Sequence, residues 1–515
     1  MRFSRLINFA FLVFLSFYSA PSFAQSYKPP VFIDTGRLEK IEATYPVIDK
    51  IYQEYAEKNH FPGLVYGIVV DGKLVHTGSV GYTELKNKTT ATGKSAFRIA
   101  SMSKSFTAMA ILKLRDEGKL KLDDPAYLYI PEMKGMHYLT KDASPVTIRN
   151  LLSHSAGYPE DNPWGDRQLA NTDQQLIDIY KKGVSFSNNP GLGYEYSNLG
   201  FATLGYIIKK VSGKTYQEYI TENILKPLGM THTYWEYTKV PKELLAHGYR
   251  WIDNQWVEQP LLHDGSYGAM GGMITTIEDF SKYEALHLSA WPPRDDAETG
   301  PVKRSSIREM QFPWDVSGFS ANNKTATGRP YPFVSAYCYG LRWRKYVDAT
   351  TAIGHTGGLP GFGSEWTIYP EYGIGVVSFA NLTYANAGSV NIQVADTLLR
   401  LSGIKPRHLP PSDVLTQRKN ELVKLLPDWN NPQASGIFAQ NFFMDYFPDK
   451  LKADATGIFA KAGKVTGIGE MVPENQMRGY FIINGEQANI KVSFTLTPEN
   501  PALIQEYHIT LIGKE

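Results

Sequence analysis

Residues 101–118 spell a helix that this chain cannot leave on a surface. Phe106, Ala110 and Leu114 recur at a spacing of four and Gly118 supplies a stop. Met109, Ile111 and Leu112 carry the apolar character nearly all the way round, so the helix has to be enclosed by other layers. The flanking pattern says what those layers are. Residues 64–70 and 73–76 flank Asp71-Gly72, a strong two-residue hairpin signal, so an antiparallel pair precedes the helix. From about 145 to 290 the pattern is mostly helical, clearest at 146–152, 201–211 and 277–288. Strand signals return at 339–346, 364–369 and 374–379, the last two joined by the turn Pro370-Glu371-Tyr372-Gly373. A closing helix carries Val390, Val394, Leu398 and Leu401 on one stripe. The order predicts an α/β (α+β) sandwich in which early and late strands share one antiparallel sheet flanked by helices, with a helical insert.

Gly403, Pro406, Pro410 and Pro411 have linker composition. Beyond them an amphipathic stretch near 414–425 precedes strands at 478–483 and 488–496 across Asn484-Gly485, and at 503–511. The expected organisation is a leader at 1–24, a main domain at 25–405 and a small C-terminal α+β module at 406–515, in keeping with a chain of 515 residues. The polar, proline-bearing stretch between Trp291 and Phe333 reads as a flap.

The leader has Arg2 and Arg5, an apolar run at 6–15, and small residues at Ser22 and Ala24. It reads as an export signal cleaved after Ala24, since the run is shorter than the roughly 20 residues of a spanning helix. No stable membrane span is expected once it is removed, and the product is expected in the periplasm or outside the cell. Without Arg2 and Arg5, the 53 basic residues fall level with the 51 acidic ones, which gives no electrostatic case for nucleic acid. Cys338 is the only cysteine. No intrachain disulfide can form, and the fold must rest on its core. Cys338 itself reads as a buried strand residue.

Three short motifs carry chemistry. In Ser101-Met102-Ser103-Lys104 the lysine lies on the helix face of the serine three positions earlier. Enclosure in apolar surroundings favours its neutral amine, which can take the serine proton. Tyr196-Ser197-Asn198 offers a phenol to relay a proton and an amide to fix a lysine or a carbonyl. His355-Thr356-Gly357-Gly358 is placed just before a strand, where glycine permits close backbone approach and the Gly358 N–H can pair with that of Ser101 as an oxyanion hole. Each pattern has a second copy, at Ser402-Gly403-Ile404-Lys405, Tyr384-Ala385-Asn386 and His76-Thr77-Gly78. Their order and context read as chance. The 11 histidines include no His-x-His or His-Glu-x-x-His pair, so neither metal nor cofactor is expected. No Gly-x-Ser-x-Gly elbow is present either.

With these motifs in this order, the chain resembles the serine β-lactamase and penicillin-binding superfamily, in its class C β-lactamase-like branch of esterases and D-amino-acid peptidases. Supporting segments are Phe97-Arg98-Ile99-Ala100, Leu151-Leu152-Ser153-His154-Ser155-Ala156-Gly157, Pro190-Gly191 with Tyr194, Pro227-Leu228-Gly229-Met230 and Gly271-Gly272-Met273. The resemblance implies Ser101 as acyl-enzyme nucleophile and Lys104 with Tyr196 as the proton-transfer pair. It implies Asn198 as a positioning amide and His355, Thr356, Gly357 and Gly358 as the strand lining the substrate. His154 reads as a structural helix end.

One departure is the first residue of the third motif, where true β-lactamases of this type carry lysine and this chain has His355. A permanent charge becomes a group mostly neutral at pH 7, which shifts the expectation from carboxylate-bearing β-lactams toward esters or short amides. No match to the class A deacylation glutamate is seen. The reading is an exported serine hydrolase acting on a small ester, an amide or a cell-wall peptide. A β-lactamase or D-alanyl-D-alanine carboxypeptidase is the alternative, and a non-catalytic binder of cell-wall fragments the second. The oligomeric state and the purpose of the C-terminal module are not legible.

Overall fold

The computed structural model describes residues 27–325 and 327–514. The leader lies outside the described residues. The chain forms two compact units, Phe32–Arg407 and a second made of Met1–Val31 with His408–Glu515.

The larger unit is a mixed α/β fold. Its elements are helix α1 (Tyr45–Lys58), strands β1 (Gly63–Val70), β2 (Lys73–Glu84) and β3 (Thr89–Thr90), and helices α2 (Ser103–Asp116), α3 (Asn198–Ser212) and α4 (Ile277–Ser289). Then come β4 (Asp315–Ser320), β5 (Phe333–Tyr337), β6 (Arg342–Tyr346), β7 (Thr351–Leu359), β8 (Phe362–Tyr369), β9 (Ile374–Ala380) and α5 (Ala387–Ser402). Among the described residues nine strands make one antiparallel sheet in the order β3-β2-β1-β9-β8-β7-β6-β5-β4. Early and late strands join at β1 and β9, paired from Leu64↔Ala380 to Val70↔Ile374.

Alternation of side chains along the strands gives the sheet two apolar faces. Val65, Val69, Trp366, Val377 and Phe379 pack with Phe106 of α2 and Phe280 of α4. On the other face Leu64, Tyr66, Ile68 and Val376 pack with Ile48 and Tyr52 of α1 and Val390, Val394 and Leu398 of α5. The enclosed helix is as the sequence predicts: of α2, Phe106, Met109, Ile111 and Leu112 are wholly buried.

Three local expectations change. The strand expected at 339–346 begins only at Arg342, because Gly340 turns at φ +66°. Cys338 is buried but lies beyond the end of β5. The stretch expected to be a flap holds a helix, Arg304–Met310, with Ile307 and Met310 wholly buried, and then β4 at the sheet edge.

In the smaller unit, strands Val465–Ile468, Arg478–Gly485, Asn489–Leu496 and Ile504–Ile512 pair in that order, and Val472–Asn475 also pairs with Arg478–Gly485. Phe481, Ile490, Val492 and Phe494 of this sheet pack with Leu415 and Leu422 of helix Asp413–Val423. Val31 bridges to His408 within the same unit. No helix among the described residues is long and apolar enough to cross a membrane.

Candidate active site

Ser101 stands on a single 3-10 turn, Ala100–Met102, that feeds directly into α2. Ala100 enters that turn at φ +49°, a left-handed conformation that costs a residue with a side chain about 1–2 kcal/mol. Neighbours hold it there. The Ile99 N–H donates to Met273 O at 3.0 Å, the Ser364 hydroxyl to Ile99 O at 2.8 Å, and the Ser103 hydroxyl to Ala100 O at 2.7 Å. Lys104 follows in the first turn of the helix. Its wholly buried amine lies 3.1 Å from Ser101 Oγ, 2.7 Å from Asn198 Oδ1 and 2.9 Å from Met270 O.

The second motif comes in through the start of α3. Asn198 is the first residue of that helix, Ser197 caps it by accepting the Gly200 N–H, and Asp161 accepts the N–H groups of Asn198 at 2.6 Å and Leu199 at 2.9 Å. His154, held at φ +57°, accepts the Ser197 N–H on Nδ1 at 3.1 Å and lies 4.2 Å, ring to ring, from Tyr196. This buried histidine therefore packs on the tyrosine, whose ring lies 4.9 Å from the Lys104 amine and whose phenol is drawn down by Ser101 against the larger effect of burial.

The third motif lies within β7 rather than ahead of a strand. Pairing of β7 with β6 stops at Arg342↔Gly354, so beyond Gly354 that edge of β7 has no strand partner among the described residues. A backbone edge left open in this way can take an extended substrate. Gly357 is needed for close approach: a Cβ there would sit 2.3 Å from both Ile99 O and Ser364 Oγ. His355 is 2% exposed. Its Nδ1–H donates to Thr356 O at 2.5 Å and its Nε2 accepts the Tyr337 hydroxyl at 2.9 Å. The Thr356 side chain does not join the serine cluster. It lies on the opposite face of the strand from His355, within reach of Gly388 at the start of α5.

Burial dominates the electrostatics. It pushes the Lys104 amine down to about 7, against the opposing pull of Asp166 and Asp161 and with help from Arg342. It holds the Tyr196 phenol well above its ordinary value. It also drives both His154 and His355 well below theirs, so both are neutral. The site thus offers a base poised near neutrality beside a phenol that keeps its proton.

Several members were not legible in the sequence. The Met270 carbonyl is a backbone group, and Asp161 and Asp166 flank a four-residue helix, Asn162–Gly165, marked only by Pro163. Arg342 is exposed at the first position of β6. Tyr384, whose Tyr-Ala-Asn context reads as chance, donates its hydroxyl to Asp166 Oδ2 at 3.0 Å. The other copies stay apart: Ser402 bonds back to Leu398 O, and His76 pairs with Asp49.

The sequence pattern of the β-lactamase family matches residues 48–399. The chain belongs to the β-lactamase family. Within that family it is 31% identical to Protein flp of Staphylococcus aureus over 337 residues, 65% of this chain and 62% of the relative. It is 27% identical over 364 residues to unguisins hydrolase ungD′ of Aspergillus campestris, 68% of this chain and 64% of that one. This β-lactamase-family chain therefore matches less than two thirds of the length of those relatives. The octameric penicillin-binding protein homologue from Pyrococcus abyssi shares its fold, with a TM-score of 0.56 at 23% identity over 92% of this chain and 95% of that one.

Proposed function

We propose that the protein is an exported serine hydrolase that forms an acyl-enzyme at Ser101 on esters or D-amino-acid amides. The observation that carries this reading is the 3.1 Å contact between Ser101 Oγ and a wholly buried Lys104 amine poised near neutrality. In its neutral form that amine takes the hydroxyl proton as Oγ attacks the substrate carbonyl. The oxyanion is met by the N–H groups of Ser101 and Gly358. Tyr196 gives its proton to the leaving alcohol or amine and regains one from the Lys104 ammonium. Water then enters by the same route in reverse, its proton passing to the Tyr196 and Lys104 pair, and the acid departs. Asn198 keeps the amine aligned through its 2.7 Å contact. The name of one relative, a hydrolase of unguisins, supports hydrolysis, and the leader-like sequence at 1–24 supports export.

A second reading, a β-lactamase or D-alanyl-D-alanine carboxypeptidase, gains from Arg342. Its guanidinium is exposed, makes no ion pair among the described residues, and acts on Lys104, His355 and Tyr196. A permanent cation next to His355 restores some of the pull on a substrate carboxylate that a neutral histidine lacks.

Exposure to a fluorophosphonate probe, with the labelled peptide mapped, tests the reading. Ser101 is expected to carry the label, and Ser101→Ala is expected to lose both labelling and at least about 10³-fold of nitrophenyl-ester turnover. Wild-type protein that is folded but unlabelled would overturn the hydrolase and leave a binding protein on this fold.

A further inference from the structure

The segment before α3 contributes more than a helix cap. Asp161 holds two backbone N–H groups of α3, and Asn162 Oδ1 accepts the Asn198 amide at 3.2 Å. Gly165 lies so close that a Cβ there would sit 2.7 Å from Asn198 Cβ and 2.9 Å from its Nδ2. Residues 161–166 are thus pressed onto the asparagine whose Oδ1 grips the Lys104 amine. Asp166 closes this segment at 2% exposure. Its Oδ2 takes the Tyr384 hydroxyl at 3.0 Å, and its Oδ1 is buried with no hydrogen-bond partner among the described residues. Tyr384 in turn sits at φ +53° with its ring against the third motif, where a Cβ on Gly358 would lie 2.9 Å from Cδ1. The tyrosine therefore ties the acid to the strand that carries Gly358.

We propose that Asp166, tethered by Tyr384, is the counter-charge that governs whether the Lys104 amine is protonated, a positioning residue that acts through the lysine and not on the substrate. The inference rests on the hydrolase reading above. A half-satisfied buried carboxylate is costly for a fold to keep, and this one is kept within the electrostatic reach of the candidate base. Burial pushes Asp166 up to about 6 while Lys104 draws it down, and Asp166 is the first of the groups that raise Lys104. The charge on each therefore affects the protonation of the other. Other charged or titratable groups face them. Asp161 raises Lys104 and Arg342 lowers it. The neutral rings of His154 and His355 and the Tyr196 phenol border the lysine. Arg167 acts on Asp166, and Arg250 and Arg167 act on Tyr384.

The test is the pH dependence of the rate at which a fluorophosphonate labels Ser101, read by intact mass in wild type, Asp166→Asn and Tyr384→Phe. Attack needs the neutral lysine, so the rate climbs with pH through the lysine titration. Removing the Asp166 charge removes an influence that keeps Lys104 protonated, and the acid limb is expected to move down by about one pH unit. Tyr384→Phe removes a hydrogen bond that favours the ionised acid, so less charge remains on Asp166. The limb is expected to move the same way by less. A merely structural role would lower the rate without moving the limb. Should Asp166→Asn fail to fold, Tyr384→Phe still decides, since Tyr384 is 48% exposed. Labelled wild type with an unmoved or raised limb in the folded variants overturns this proposal alone. Folded wild type without label overturns it together with the hydrolase.

Discussion

Arg342 sits opposite Gly354, where the β6–β7 pairing ends, and its charge opposes protonation of Lys104, His154 and His355 alike. Arg342→Ala is expected to raise KM at least about tenfold for a cephalosporin or a D-alanyl-D-alanine peptide, the worth of roughly 1.4 kcal/mol, and to leave KM for a neutral nitrophenyl ester unchanged. Steady-state kinetics on the two substrates side by side check it, and equal effects on both would remove the anion-recognising role. Because Arg342 holds Lys104 down, its loss should also move the acid limb up, opposite to Asp166→Asn. At this scale the sequence was informative where chemistry depends on fixed spacing. A serine and a lysine three apart on a helix must share a face, so Ser101 and Lys104 could be paired without a structure. Asp166, Arg342 and Tyr384 reach the site from separate irregular or edge positions, and no periodicity binds them to it. Tyr384 is the clearest case: its Tyr-x-Asn copy reads as chance, yet the fold sets its hydroxyl on a buried acid of the site.

Among the elements, β7 depends most on a missing side chain. A Cβ on Gly357 would collide with the carbonyl of Ile99, one residue before the strained Ala100. Gly357→Ala is expected to cost about 1–3 kcal/mol, as overpacking does, and to abolish labelling of Ser101 by pushing the strand off the serine turn. Gly135→Ala, where a Cβ meets nothing within 4 Å, should leave the melting temperature nearly unchanged. Thermal melts of both variants test this. The elements that were legible had strong periodicity or decisive turns, as in the Asp71-Gly72 hairpin, α2 and the stripe on α5. The edge strand β4 was not, because an edge need not alternate. Val316 and Phe319 are 71% and 69% exposed in it, and its polar neighbours look like loop. The third motif reads as a segment ahead of a strand because glycine is a poor strand former, although Gly357 is what allows β7 to approach the serine turn.

The clusters that pack the two sheet faces of Phe32–Arg407 share no residue with the cluster that packs the sheet of the smaller unit. Calorimetry is expected to resolve two unfolding transitions. Covalent labelling of Ser101 should displace only the transition of the larger unit, and one transition displaced as a whole would mean that the units unfold together. The arm that ends at Val31 is hydrogen-bonded to His408, while Arg407 lies 4.4 Å over the ring of Phe32. The larger unit is therefore an insertion in the chain of the smaller one, with its own two ends meeting. The consequence is an order of assembly. A growing chain completes the inserted unit before the smaller sheet exists, and once folded that unit has already met the entropic cost of closing a very long loop. A slow-folding variant of the larger unit is therefore expected to delay the bridge between Val31 and His408.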